Sequence, residues 1–168
     1  DFAGTELTTD EFLRWREPWQ EDHRVLGYDV IEGKECIVIE SIHRNPQYYL
    51  GKRVSWVDKE NFIDLYEEQF DREGNLWKVS DKVWKQIKPW NYWVRTEWNC
   101  LNIKTNTRTI VQALDWIFDQ PIPDDVFMPK EMQKQYIWRY PSDDAVPPIN
   151  SIADLPLTPQ VRSEFWKV

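Results

Sequence analysis

Asn91-Tyr92-Trp93-Val94-Arg95-Thr96-Glu97-Trp98-Asn99-Cys100-Leu101-Asn102-Ile103, then Lys104-Thr105-Asn106-Thr107, then Arg108-Thr109-Ile110-Val111-Gln112-Ala113-Leu114-Asp115-Trp116-Ile117-Phe118 is the stretch that decides the fold class. Two runs rich in β-branched and aromatic residues flank a short polar turn. That is the pattern of a long antiparallel hairpin. Pro121 and Pro123 follow and are expected to stop the ladder, because proline has no N–H to give it.

Working outward, the same pattern recurs upstream. Residues 25–31 and 36–42 read as strands joined at Glu32-Gly33-Lys34, where Gly33 supplies a positive φ. Residues 52–58 and 62–70 follow, separated by the polar turn 58–61. Asp71-Arg72-Glu73-Gly74-Asn75 is a strong turn signal, and extended structure resumes at 76–79. Repeated strands with tight turns predict a mainly β chain built on one antiparallel sheet. Two short helices are expected, over 9–15 and over 124–127 with 129–136. The first has Thr8 or Thr9 as its cap, acids in its first turn and Pro18 to end it. No internal repeat of fixed period is present.

Residues 139–168 read as a separate piece. Pro141, Pro147, Pro148, Pro156 and Pro159 predict an extended, polyproline-like tail. Tyr140, Ile149, Leu155, Phe165 and Trp166 predict that it docks, with Tyr140, Phe165 and Trp166 as the anchors. The division expected is 1–138 for the β domain and 139–168 for the tail.

The net charge of −8 disfavours nucleic acid, which needs a basic stripe, and simple attraction to anionic headgroups. No apolar run approaches the ~20 residues of a membrane-spanning helix. Cys36 and Cys100 are too few for a disulfide framework and form no C-x-x-C. They read as two buried thiols on separate strands, with a single bridge as the alternative. His23 and His43 stand in no metal-ligating spacing. The pairs Glu67-Glu68, Asp124-Asp125 and Asp143-Asp144 are sequence neighbours, which a strand sends to opposite faces, so they read as solvated charges rather than a catalytic dyad. No phosphate-cradling glycine loop exists. No catalytic residue, cofactor or metal is therefore expected, and the chain is not read as an enzyme.

The aromatics point elsewhere. Eleven Trp in 168 residues exceed what a small core usually requires, although core packing is the plainer account of any single one. Alternation along the strands selects Val54, Trp56, Phe62, Tyr66, Tyr92, Val94, Trp98, Val111 and Ala113 as one apolar set. Ile110, Leu114, Trp116 and Phe118 form a competing set, so both faces are partly apolar. Such a face suits a hydrophobic ligand or a protein partner. Arg53, Arg95 and Arg108 are candidates for a lipid headgroup. Cross-strand pairing with Glu68 or Glu97 is the plainer account of them.

At residues 52–60, Lys-Arg-Val-Ser-Trp-Val-Asp-Lys-Glu, the chain resembles the LolA-like outer-membrane lipoprotein-sorting proteins. Five further stretches agree in order with that family's pattern: 3–10 (Ala-Gly-Thr-Glu-Leu-Thr-Thr-Asp), 33–40 (Gly-Lys-Glu-Cys-Ile-Val-Ile-Glu), 65–74 (Leu-Tyr-Glu-Glu-Gln-Phe-Asp-Arg-Glu-Gly), 105–109 (Thr-Asn-Thr-Arg-Thr) and 122–127 (Ile-Pro-Asp-Asp-Val-Phe). The resemblance covers 4–127 and implies a half-open β-barrel, a curved antiparallel sheet of the LolA/LolB kind. It implies a periplasmic or secreted carrier that holds lipid or lipoprotein acyl chains. The alternative is an accessory subunit of an envelope complex that turns the same face and tail to other proteins. The family pattern places a helix and first strands before the Gly4 region, so an N-terminal portion preceding Asp1 is expected. The proline-rich tail has no counterpart in the pattern.

Overall fold

The structure, a computed structural model, describes residues 4–13, 17–132 and 145–162. Seven strands make one antiparallel meander: β1 (Glu21–Ile31), β2 (Lys34–His43), β3 (Lys52–Asp58), β4 (Asp64–Phe70), β5 (Leu76–Ile87), β6 (Tyr92–Asn102) and β7 (Thr107–Gln112). Spatial order equals chain order, β1 through β7, and among the described residues β1 and β7 do not pair. The sheet is therefore open, a half-barrel as expected.

Local chemistry explains the turns. Glu32 and Gly33 both take positive φ, the two-residue hairpin turn whose twist matches its strands. Asp71 closes the β4–β5 turn: it accepts from Asn75 N (2.8 Å) and Asn75 Nδ2 (3.2 Å). The helix α1 (Thr9–Leu13) opens on a capping box. Thr8 Oγ1 accepts from Glu11 N at 3.3 Å, and Glu11 Oε2 accepts from Thr8 N at 2.6 Å. The second short helix, α2 (Pro129–Met132), lies where one was expected.

Two strands depart from expectation. β5 runs to Ile87, well past the predicted 79, paired along its length with β6. β7 stops at Gln112, six residues before the expected end at 118. The prolines do not end it. Leu114 instead gives its carbonyl to Val146 N (2.6 Å), and Phe118 turns into an aromatic group. Its ring centroid lies 5.6 Å from Trp90 and 5.2 Å from Tyr92.

Register assigns the faces. Pairings Val38↔Trp56, Trp56↔Tyr66, Tyr66↔Asp81 and Asp81↔Asn99 put these side chains on one face, called here the Trp56 face. Pairings Gln69↔Lys78, Lys78↔Asn102, Lys82↔Trp98 and Trp98↔Val111 define the other, the Lys78 face. The main core lies on the Trp56 face and includes Cys36, Val38, Val54, Trp56, Tyr66 and Val79. A smaller cluster on the Lys78 face holds Leu7, Trp98 and Cys100, with Phe12 and Val111 against it. Cys36 and Cys100 are both free and buried, one on each face, so the sheet itself separates them. Burial pushes the Cys100 thiol up to about 12, which keeps it protonated and inert.

Candidate functional site: a sheet face under a strap

The Trp56 face combines an apolar centre with a polar surround. Val38, Trp56, Tyr66 and Val79 are shut off from water. Trp56 meets Tyr66 edge to face at 5.0 Å between centroids, and its Nε1 donates to Asp29 Oδ2 at 2.8 Å. Around this centre stand Glu68, Asp81, Asn99, Arg108 and Gln112, placed on the same face by register. Burial next to Glu68 pushes the Tyr66 phenol far up, so it stays a donor.

Residues 145–162 lie over this face as a strap. At the β7 side, Gln112 Nε2 donates to the Pro147 carbonyl (3.1 Å) and its Oε1 accepts from Ile149 N (2.9 Å). Next, Arg108 Nη2 donates to Pro156 O (2.5 Å) and Leu157 O (3.1 Å). Asn99 Nδ2 donates to Leu157 O (2.8 Å) and its Oδ1 accepts from Arg108 Nε (2.8 Å). On β4, the single Tyr66 Oη proton is shared between Gln160 O (2.6 Å) and Glu68 Oε1 (2.8 Å), and Glu68 Oε1 also accepts from Arg162 N (2.5 Å). The Arg162 guanidinium then reaches Asp29 of β1 at 3.4 Å. Pro159 is buried and Val161 packs on the core, whereas Leu157 is 90% exposed. Apart from Val146, the strap is held by side chains rather than by a strand ladder.

The Lys78 face is covered from the other end of the chain. Leu7 inserts beside Trp98, and Glu11 of α1 is buried beside Lys78 (3.5 Å), which also donates to the Glu6 carbonyl. Gln69 Nε2 bridges Glu11 Oε1 (2.5 Å) and Glu67 Oε1 (2.8 Å). Arg53 joins Glu21 (2.5 Å) to Glu67 (3.4 Å), and Lys82 joins Glu67 (3.4 Å) to Asp64.

The nine residues selected by alternation do not share one face. Val54, Trp56 and Tyr66 do. Trp98 and Val111 face the opposite way. Phe62 sits in the β3–β4 turn with φ 56 and is 76% exposed. Tyr92 belongs to the exposed aromatic group, Val94 is buried, and Ala113 lies past the end of β7 with its N–H on Thr96 O. The three arginines all have protein partners. Arg53 pairs with Glu21 and Glu67 rather than Glu68, Arg95 lies 4.0 Å from the Trp98 ring, and Arg108 holds Asn99 and the strap. Of the expected tail anchors, Tyr140, Phe165 and Trp166 lie outside the described residues. The residues missed by sequence reading are Glu68, Asn99 and Gln112. They are polar residues on strands, with no motif to separate them from solvated ones.

Among the described residues no group of His, Cys, Asp and Glu has metal-binding geometry, and no helix is long and apolar enough to cross a membrane. A hollow of about 260 Å³, lined by Tyr28, Asp29, Val30, Glu35 and Lys59, opens at the β1–β2 end.

Comparison with known proteins bears out the resemblance. A family model described as an uncharacterized protein matches residues 1–134, and the chain belongs to that family. A search of curated proteins finds no match. Among solved structures, the chain is similar to a domain described as an outer membrane lipoprotein-sorting protein from Vibrio parahaemolyticus, at TM-score 0.71 and 24% identity over 80% of this chain and 57% of that one. It is similar to a DUF1329 family protein from Desulfovibrio piger, at TM-score 0.61 and 18% identity over 68% and 48%. It is also similar to a LolA superfamily protein from Nitrosomonas europaea, at TM-score 0.60 and 17% identity over 76% and 58%. The fold is thus LolA-like, and the match spans about half to three-fifths of each of these chains.

Proposed function

We propose, with this family membership and LolA-like fold as the premise, that the chain is a non-catalytic carrier domain of the bacterial envelope. On this reading it is periplasmic and holds an acyl chain, as a lipid or as the lipid part of a lipoprotein, on the Trp56 face. The observation that carries the proposal is the buried apolar strip Val38–Trp56–Tyr66–Val79, covered by an extended segment instead of a packed layer. A cover fixed by a few side-chain contacts can be exchanged for a ligand more readily than a helix or a paired strand. Each methylene buried is worth about 0.8 kcal/mol, so a long acyl chain offers ~10 kcal/mol before binding costs.

The test is native mass spectrometry of the purified full chain together with titration of a fluorescent fatty-acyl probe. Co-purifying lipid, or saturable probe binding that Trp56→Ala weakens at least tenfold, is the expected result. A folded protein with neither would overturn the carrier reading.

A second reading is an accessory subunit, favoured by the aromatic group at the β5–β6 end. Trp90, Tyr92 and Trp116 gather there around Phe118 while remaining more than a third exposed. Exposed aromatics of this kind are over-represented at protein interfaces. A monomer at micromolar concentration that captures no envelope protein after crosslinking would count against it.

A further inference from the structure

The polar residues of the Trp56 face have a common target, which is the main chain of the strap. Three side chains on two strands, Asn99, Arg108 and Gln112, donate to the carbonyls of Pro147, Pro156 and Leu157, and Tyr66 shares its proton between Gln160 O and Glu68. Two acceptors, Gln112 Oε1 and Glu68 Oε1, take the N–H groups of Ile149 and Arg162. This ratio suits a particular kind of polypeptide. Proline has no N–H and fixes its φ, so a proline-containing segment stays extended and presents more carbonyls than donors. Pro147, Pro148, Pro156 and Pro159 give the strap that character. A face built for acyl chains alone needs none of these groups, and burying them unpaired would cost about 1–3 kcal/mol each.

The contacts also separate what is read from what is not. Backbone groups, the buried Pro159 ring, Val161 and the Arg162 guanidinium, paired with Asp29 and set over the Tyr66 ring, are held. Leu157 projects into water although its carbonyl is doubly bonded. Recognition of main chain plus a few small apolar anchors is how grooves bind extended proline-rich peptides.

We propose that the Trp56 face is a binding site for an extended, proline-containing polypeptide segment, filled here in cis by residues 146–162 and open to a segment of the same chemistry in trans once the strap is displaced. This does not depend on an acyl ligand. Tethering gives the strap an effective concentration of order mM, so a free peptide of equal affinity does not displace it from the wild-type chain.

The experiment therefore weakens the strap and leaves the site intact. In the full chain, Val161→Asp puts a carboxylate against the apolar core, beside Glu68. Hydrogen exchange at the Ile149 and Arg162 amides is expected to be slow in the wild type and at least tenfold faster in the variant. A labelled synthetic peptide of residues 145–162 is then added. It is expected to bind Val161→Asp at least tenfold tighter than the wild type, to outbind a scrambled peptide, and to lose binding when Asn99→Ala and Arg108→Ala are combined with Val161→Asp. Should Val161→Asp fail to fold, Val161→Ser repeats the test. Released amides with no gain in peptide binding overturn the proposal, and so do wild-type amides that exchange as in a free peptide. An acyl probe run in parallel keeps the two readings apart. Peptide binding without probe binding sinks the carrier reading alone, and probe binding without peptide binding sinks this one.

Discussion

The two faces of the sheet are covered by opposite ends of the described chain, with opposite chemistry. On the Trp56 face an apolar centre lies under residues 146–162, fixed by sheet side chains that grip main chain. On the Lys78 face a lattice of charges, Glu21–Arg53–Glu67–Lys82–Asp64 and Lys78–Glu11, lies under α1 and the residues before it. The difference concerns what each cover supplies. Glu11 completes the charge pairing of its face, so removing α1 would leave Lys78 buried without that partner. The strap supplies mainly backbone partners, with two apolar anchors and one side-chain ion pair, Arg162 to Asp29. On the proposed reading, the Lys78 face keeps its cover and the Trp56 face exchanges it.

The largest expected effect is at the apolar centre. Trp56→Ala removes a side chain with no exposure, its edge-to-face contact with Tyr66 and the hydrogen bond to Asp29. A loss of about 3–5 kcal/mol of unfolding free energy follows, because the cavity cannot collapse fully. Urea denaturation measures it. A loss under about 1 kcal/mol would mean that the Trp56 face is not the folding core.

The next tests the charged face. Lys78→Met takes from the buried Glu11 carboxylate its cationic partner and leaves it the hydrogen bonds from Gln69 and Thr8, at an expected cost of about 3 kcal/mol. Adding Glu11→Leu should recover at least half of that loss, since a buried pair replaced by apolar groups is often neutral. A double variant as unstable as the single one would break the view that Glu11 ties its cover down through charge.

The strand pattern was legible because turn chemistry punctuates it. Glu32-Gly33, Asp58–Asn61 and Asp71–Asn75 mark three of the hairpin turns, and residues 52–58 form β3 as read. Face membership was not legible. Val54, Trp56, Trp98 and Val111 all fit alternation within their own strands, yet the first two face away from the last two. Bulges at Val25/Gly27, Trp56/Val57, Gln69/Phe70 and Val83/Trp84 shift the register, and one residue of shift exchanges the faces. Glu67 read as a solvated charge and Arg53 as a headgroup or cross-strand candidate, because alternation says nothing about which segment will cover a polar row. The premature end of β7 was hidden for a similar reason. Residues 113–118 have good strand composition, and only the tail and the Trp90–Tyr92 aromatics, distant in sequence, draw them away.

The smallest expected effect separates the faces by pH. Asp81 stands on the Trp56 face, where burial pushes its carboxyl up to about 6, against the opposing pull of Arg162 and Arg108 and with the support of Glu32 and Glu97. Its unfolded value is about 3.8, so between pH 4 and 6 the folded chain binds more protons than the unfolded one. Stability contributed by this group is therefore full below pH 4 and is lost as pH rises through 6. The side chain is partly solvated, so the loss is roughly 1 kcal/mol after discounting for screening. Asp58 and Asp71 act at lower pH. Hydrogen bonds from Asn61 and Glu60 hold Asp58 low despite its burial, and Lys104 holds Asp71 at about 2, so their contributions change below pH 4. Asp81→Asn should leave unfolding free energy unchanged at pH 4 and raise it at pH 7.5, removing the decline between those values. A pH profile of Asp81→Asn parallel to the wild type would show that Asp81 titrates as an ordinary exposed carboxylate, and that the strap does not seal this face from water.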